Sequence, residues 1–363
     1  MASVSIREVW KYYGKTAAVR ELNLEAKDGE FLCVLGPSGC GKSSTLRMLA
    51  GLEHISAGDI FFGEKRVNDL PPKDRDIAMV FENYALYPHK TVFENIANPL
   101  RLRGTDHATI ERKVSKAAEL LEIGPLLQRR PGELSGGQKQ RTAIGRAIVR
   151  EPELFLFDEP IAHLDAKLRA HMRGELKIMQ RELGTTMVYV THDQLEALSM
   201  ADRIAVMHNG VLQQYGTPQE IYDHPVNEWV AGFVGEPPMN FLDCAIEGRG
   251  DELLVVHPAF SLPVTAAQRS KLEGVDAGRG VRLAIRPAEI SIAAPGVDGA
   301  VRASILVTEP LGGDMLVDCA LADNKVLVKT GPHFAGARGE ECWLTFDKSR
   351  WHLFAADTGV AYF

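Results

Sequence analysis

The segment GPSGCGKS, Gly36 to Ser43, follows the apolar run FLCVL and precedes SSTLRMLAGL. A loop of the form G-x-x-x-x-G-K-[ST] set between a strand and a helix constrains its surroundings, because backbone amides and a helix N-terminus converge there on an anion. Glycines let the backbone approach phosphate oxygens, Lys42 adds positive charge, and the Ser43 hydroxyl can ligate Mg2+. A chance Gly-rich turn would lack the flanking strand and helix. Nucleotide binding on an α/β scaffold is the expectation.

A chain of 363 residues exceeds the usual size of one core, so two domains are expected. As far as about Gly235, short apolar runs alternate with helix-period segments; ELFLFD (153–158) and TMVYVTH (186–192) read as buried strands with polar ends. At Glu236-Pro237-Pro238 the character changes. LLVV (253–256), VRLAIRP (281–287), ASILVTEP (303–310), MLVDCAL (315–321), KVLVKT (325–330) and ECWLTF (341–346) then follow between Gly, Pro and Asp turns, as in a small antiparallel barrel or sandwich. The reading is an α/β domain over residues 1–235 and a β-rich domain over 236–363. A net charge of −7 disfavours a nucleic-acid binder. The five cysteines form no CxxC pair, which fits a reduced, cytosolic setting. The N-terminal stretch lacks the apolar core of a secretory signal, and no apolar run approaches the ~20 residues of a membrane-spanning helix. Membrane association is therefore expected through a protein partner or a surface contact.

FLFDEPIAHLD, Phe155 to Asp165, places two acids at the exit of a buried strand. Next to the phosphate loop, Asp158 can hold a water on Mg2+, and Glu159, one residue further on, can take a proton from an attacking water if its surroundings raise its pKa. LSGGQKQR, Leu134 to Arg141, carries a second anion-seeking end. Ser135 can cap a helix, Gln138 can reach back, and Gly136 and Gly137 bare the first-turn amides, while Ala143, Ile144, Ala147 and Ile148 give the helix a buried face. Two such ends in one chain suggest a composite site shared between chains.

In order along the chain, GPSGCGKS, LSGGQ, LFLFDEP, HLDAK and VTHDQ resemble the ATP-binding-cassette (ABC) ATPases, and most of all the ATP-binding subunits of bacterial carbohydrate importers of the maltose and glycerol-phosphate type. IRPAEI (285–290) and EPLGGD (309–314) resemble the β-rich carboxyl-terminal domain of those subunits. The resemblance implies a P-loop NTPase domain of ABC type with a helical subdomain, followed by an OB-like (TOBE/MOP-like) domain. It implies that Tyr13 stacks on adenine, and that Gly36, Pro37, Ser38, Gly39, Cys40, Gly41, Lys42, Ser43 and Ser44 form the phosphate loop. Ser135, Gly136, Gly137 and Gln138 would close over ATP held by an opposite subunit. Asp158 would be the Mg2+-side acid, Glu159 the general base, Asp165 a dimer-interface residue and His192 the switch that senses the γ-phosphate. The implied cofactors are ATP and Mg2+. Implied partners are integral membrane permease subunits, a periplasmic or lipid-anchored solute-binding protein and a second ATPase subunit, at the cytoplasmic face of the cell membrane and with no nucleic acid. The implied cargo is a sugar, sugar alcohol, glycerol or glycerol phosphate.

Three residues depart from the family's pattern. Glu82, in MVFENYALYPH (79–89), stands where glutamine is usual; a carboxylate can still contact Mg2+ but has no amide donor. Ala162 and His163 replace the usual Ser and Asn before Leu164-Asp165. These departures suggest an asymmetric pairing with a related, non-identical ATPase subunit, or, alternatively, a nucleotide-binding regulatory subunit with weak or no turnover. By the same resemblance Tyr84, Leu86 and Tyr87 would receive a short helix of a membrane subunit, and the carboxyl-terminal domain would either brace the dimer or dock a regulator.

Overall fold

The computed structural model describes residues 2–249, 252–272, 278–347 and 349–363. The chain divides into two compact units, Met1–Ile221 and Tyr222–Phe363. Glu236, where the sequence places the boundary, falls inside the second.

In the first unit, β1 (Val4–Tyr13), β2 (Thr16–Ala26), β4 (Ala57–Phe62) and the short β5 (Lys65–Arg66) form an antiparallel sheet in the order β2-β1-β4-β5. The other sheet joins β3 (Phe31–Leu35), β6 (Ile77–Val80), β7 (Leu154–Asp158), β8 (Thr186–Thr191), β9 (Arg203–His208) and β10 (Val211–Gly216) in the order β10-β9-β3-β8-β7-β6. All its pairings are parallel except β9 with β10. Every residue of β3, β7 and β8 is buried, which is why these strands read as unbroken apolar runs rather than as alternations. Val9, Val19 and Leu22 of the antiparallel sheet share a core with Leu32, Val34, Leu156 and Val188 of the parallel one. Parallel strands deliver their carboxyl ends to one edge, so Leu35, Asp158 and Thr191 hand the chain into loops on the same side.

The helices start where side chains can stop the chain's free amides. Helices α2 (Val92–Leu102), α3 (His107–Leu120), α4 (Gly136–Ile148), α5 (Ala166–Leu183) and α6 (Gln194–Met200) open on Thr91, Asp106, Ser135, Asp165 and Asp193, each of which accepts a backbone N–H three residues on. Each such cap is worth about 1 kcal/mol. Helix α1 (Lys42–Leu49) is the exception: its cap position is Gly41, which offers no side chain.

The second unit holds two antiparallel five-stranded sheets. One orders as β13-β12-β11-β14-β20, from β11 (Asn240–Arg249), β12 (Glu252–His257), β13 (Phe260–Pro263), β14 (Gly280–Ile285) and β20 (His352–Ala355). The other orders as β15-β19-β16-β17-β18, from β15 (Ile290–Ala293), β16 (Val301–Pro310), β17 (Met315–Leu321), β18 (Asn324–Thr330) and β19 (Glu341–Phe346). Leu242, Ile246 and Leu283 of the first share one core with Val317, Val328 and Leu344 of the second. Asn240 stitches the sheets together: its side-chain amide donates to Leu327 O (2.8 Å) and accepts from Leu327 N (2.7 Å), as a backbone pair would. The six apolar runs of the sequence fall on strands, VRLAIRP running two residues past the end of β14; β11, β13, β15 and β20 were not among them, three of these being only four residues long.

Candidate nucleotide site

The phosphate loop leaves β3 at Leu35 and enters α1 at Lys42. Gly41 has φ 104°, and a Cβ there would stand 2.5 Å from Ala18 O, so only glycine fits and the first-turn amides stay uncapped. Ser38 and Gly39 form the exposed crest. Beneath them Lys42, 4% exposed, donates from Nζ to Gly36 O (2.8 Å) and Pro37 O (3.0 Å). The ammonium is thus held under the loop by carbonyls at its start. The Cys40 thiol is buried beside it; burial pushes the thiol's pKa up despite Lys42, so it stays neutral.

Ser43 Oγ donates to Asp158 Oδ1 at 3.0 Å. This bond joins the loop to the end of β7 and brings together two residues that the sequence singled out 115 positions apart. Asp158 is almost fully buried, and burial raises its carboxyl above the ordinary carboxylate range, against the lowering by Ser43. An oxygen-only pair of hydroxyl and carboxylate suits Mg2+. Among the described residues no group of three or more His, Cys, Asp or Glu side chains could hold a metal, so an ion here would take its remaining oxygens from phosphate and water.

Glu159 follows in a left-handed conformation, φ 45°, with its amide donating to Val190 O of the neighbouring strand (3.0 Å). Such a backbone costs a non-glycine residue of order 1 kcal/mol or more. The turn swings the side chain out of the strand's alternation and across to β8, where Glu159 Oε2 lies 2.8 Å from His192 Nδ1. His192 leaves the end of β8, and the turn behind it is braced: Asp193 N donates to Thr191 Oγ1 (3.0 Å), and buried Glu196 accepts from Thr191 Oγ1 (2.7 Å) and Tyr189 OH (2.8 Å). Burial raises the Glu196 carboxyl as well. Arg169, absent from the sequence reading, spans two loops of the site. It donates to Asp193 Oδ2 (3.1 Å) and to the carbonyls of Ala162 (3.0 Å) and Leu164 (3.1 Å). No local pattern marks it out; a basic residue in the first turn of a helix looks like surface.

The other expected residues fall as follows. Tyr13 is half exposed beside the loop, its hydroxyl 3.2 Å from Ser44 Oγ and also bonded to Glu53. Ser135 and Gln138 form the capping box read from sequence, with Gln138 N to Ser135 Oγ at 3.4 Å and Ser135 N to Gln138 Oε1 at 3.0 Å. Gly137 is packed so closely on α5 that a Cβ would stand 2.4 Å from Leu168 Cδ2. No hydrogen bond or ion pair among the described residues joins 135–138 to the chain's own phosphate loop. Asp165 caps α5, accepting from Leu168 N at 3.0 Å. Glu82, expected at the metal, lies beside His163: Oε1 is 3.3 Å from His163 Nε2, with both side chains more than half exposed. Its charge still reaches Asp158, adding to the upward push on that carboxyl.

A family model described as ABC transporter matches residues 19–162, and a TOBE domain model matches residues 283–354. The chain is 49% identical to the trehalose/maltose import ATP-binding protein MalK of Thermococcus litoralis over 100% of both. It is 48% identical to the sulfoquinovosyl glycerol transport ATP-binding protein SmoE of Agrobacterium fabrum and to the sn-glycerol-3-phosphate import ATP-binding protein UgpC of Salmonella typhi, over 99% of each chain. Among solved structures, the dimeric ATP-binding cassette MJ0796 in a post-hydrolysis state with ADP and Pi aligns with a TM-score of 0.54 at 30% identity, covering 59% of this chain and 98% of that one. CbiO1 from Clostridium perfringens aligns with a TM-score of 0.56 at 29% identity, covering 60% and 89%. With near-half identity along its whole length to proteins of one kind, and both of their domains matched, the chain belongs to the ATP-binding proteins of the ABC transporter family.

Proposed function

We propose that this chain hydrolyses ATP to drive import of a carbohydrate-class solute, with Glu159 as general base. The observation that carries the reading is the meeting, at the ends of adjacent strands β7 and β8, of the Ser43–Asp158 bond (3.0 Å) and the Glu159–His192 pair (2.8 Å). The loop amides and Lys42 bind the phosphates. Ser43 and Asp158 would hold Mg2+, which when bound would neutralise charge on the phosphate oxygens. Glu159 takes the proton of the water whose oxygen attacks the γ-phosphorus, releasing ADP and phosphate. His192 orients the Glu159 carboxylate from its second oxygen's side and contacts the phosphate that leaves. Tyr13, beside Ser44, supplies a face for the adenine.

Among the described residues no hydrogen bond or ion pair joins Ser135–Gln138 to the chain's own phosphate loop, and the dimeric state of the solved cassette MJ0796 supports a lid supplied by a second ATPase subunit. Among the described residues no helix is long and apolar enough to cross a membrane. On this reading the chain acts on membrane permease subunits, through residues 82–89, and leaves solute recognition to them and to a solute-binding protein. The names of its relatives, which specify trehalose/maltose import, sulfoquinovosyl glycerol transport and sn-glycerol-3-phosphate import, support a sugar or polyol derivative as cargo.

The test is Glu159→Gln. ATP hydrolysis should fall by about 10²–10⁴-fold while ATP binding persists. Wild-type protein that binds ATP in its assembled transporter yet shows no turnover would establish the regulatory alternative.

A further inference from the structure

The chain leaves β6 at Val80 and reaches α2 at Val92 through the segment that, on the reading above, faces the membrane subunits. Two consecutive residues in it, Tyr84 (φ 61°) and Ala85 (φ 47°), are left-handed, a conformation that L-residues seldom adopt in succession. Both of their carbonyls turn to one guanidinium. Arg146 of α4 donates from Nη1 to Ala85 O (2.6 Å) and from Nη2 to Tyr84 O (2.9 Å), and lies 5.7 Å from the centre of the Tyr87 ring.

The second half of the segment is held from α2. Fully buried Asn95 accepts from Tyr87 N (2.8 Å) and donates to the carbonyls of Tyr87 (3.2 Å), Lys90 (3.2 Å) and Thr91 (2.9 Å). The two anchoring helices are themselves in close contact: at Gly145, next to Arg146, a Cβ would stand 3.1 Å from Ile96 Cδ1, next to Asn95. At its start, among the described residues, the ion pair that joins the segment to the loop after β7 is the exposed Glu82–His163 contact. Residues 84–91 therefore belong mechanically to the α2–α4 pair, and α4 is the helix whose first turn is Gly136–Gln138.

We propose that Arg146 is a positioning residue that locks the segment 81–91 to α4, so that capture of nucleotide at the Ser135–Gln138 turn is passed to the surface facing the membrane subunits. The inference rests on the nucleotide reading above. A guanidinium can serve two diverging carbonyls at once; an ammonium is a point charge that cannot reproduce the fork. Arg146→Lys therefore keeps the charge and removes the lock.

The experiment is hydrogen–deuterium exchange on the full-length chain carrying Glu159→Gln, with and without MgATP. In this parent, ATP should slow exchange at Gly36–Ser44, at 135–141 and at 81–91. With Arg146→Lys, or with Arg146→Gln as the second variant, the first two responses should remain and the third should be lost. A role confined to stability would raise exchange at 81–91 equally in both states and leave the ATP-dependent difference, which would overturn the proposal. So would a parent-like response in both variants. A parent with no response at Gly36–Ser44 would overturn the nucleotide reading itself, and this inference with it.

Discussion

Strands β7 and β17 show how differently the two units use polar residues. Every residue of β7 is buried, and its chemistry appears where it stops, at Asp158 and Glu159. Strand β17 alternates buried with half-buried residues along Met315–Leu321. In a parallel sheet covered on both faces, polar groups can reach solvent only at strand ends, and those ends share an edge. Antiparallel strands end at both edges, so no edge collects them. Both units bury polar groups that serve the fold, as Asn95 and Glu196 do in the first; in the second, Asn240, His257 and Arg286 are each at least nine-tenths buried, and each is hydrogen-bonded inside the unit. The difference predicts that strand-end changes in the first unit remove activity and spare the fold, and that changes at buried polar groups of the second do the reverse.

The sharpest break is Lys42→Ala. Removing a charge-assisted contact to phosphate should weaken ATP binding by roughly 100-fold, about 3 kcal/mol, and remove measurable turnover. Calorimetric titration with ATP measures the first, and the protein without nucleotide should stay folded, its melting temperature lowered only by the loss of the Lys42 bonds to Gly36 O and Pro37 O. If the protein instead loses its fold, the division of labour drawn here is wrong.

Arg286→Met should do the opposite. The guanidinium lies 3.5 Å over the Tyr222 ring, and donates to Val234 O (2.9 Å) and Tyr222 O, all within the second unit. Its loss leaves buried carbonyls without donors, a cost of about 2–4 kcal/mol. Urea unfolding followed by circular dichroism should show the second unit's transition at lower denaturant, with ATP affinity unchanged. An equal loss of ATP affinity would show that the groups of the second unit are not confined to its own fold.

A smaller effect comes from His352, whose pKa is lowered to about 4 by burial first, then by the Arg286 charge and His224. The folded chain holds the ring neutral, while the unfolded chain takes up a proton near the ordinary value of about 6.5. Stability from this group is full above pH 6.5 and is lost as pH falls from 6.5 towards 4, by of order 1–3 kcal/mol. The unfolding free energy of wild type should therefore fall relative to that of His352→Phe on acidification. Parallel curves through that window would contradict it.

These contrasts also explain what could be read from the sequence. Gly36–Ser43, the Ser135–Gln138 box and the strands ending at Asp158 and Thr191 were legible because each is a local device: its residues act on amides or pleats within a few positions. The strand alternations of the second unit were legible for the same reason. Arg146 and Arg169 were not, because their meaning lies in carbonyls of another loop, 61 positions away in the case of Ala85. Neither was the left-handed turn at Glu159, which β8 imposes through Val190. Pro237 and Pro238 mark a change of composition, whereas the division into compact units, at Tyr222, follows contacts that composition does not carry.

The contact between Glu82 and His163 tests the comparison at its weakest point, since Glu82 is an expected site acid that lies in solvent. Both side chains are more than half exposed, 3.3 Å apart, on loops after β6 and β7. Exposed pairs of this kind are worth about 0.2–1 kcal/mol, because water already solvates both groups and ordering two side chains costs entropy. Glu82→Gln and His163→Asn should therefore each change ATP hydrolysis by no more than about fivefold, with a coupling below about 1 kcal/mol in the double variant. The measurement is a four-member cycle of hydrolysis rates at saturating MgATP. A fall beyond 100-fold in Glu82→Gln alone would mean that this carboxylate reaches the reacting groups directly, as the resemblance implied. The distinction between buried strand-end chemistry and exposed loop contacts would then have to be redrawn around Glu82.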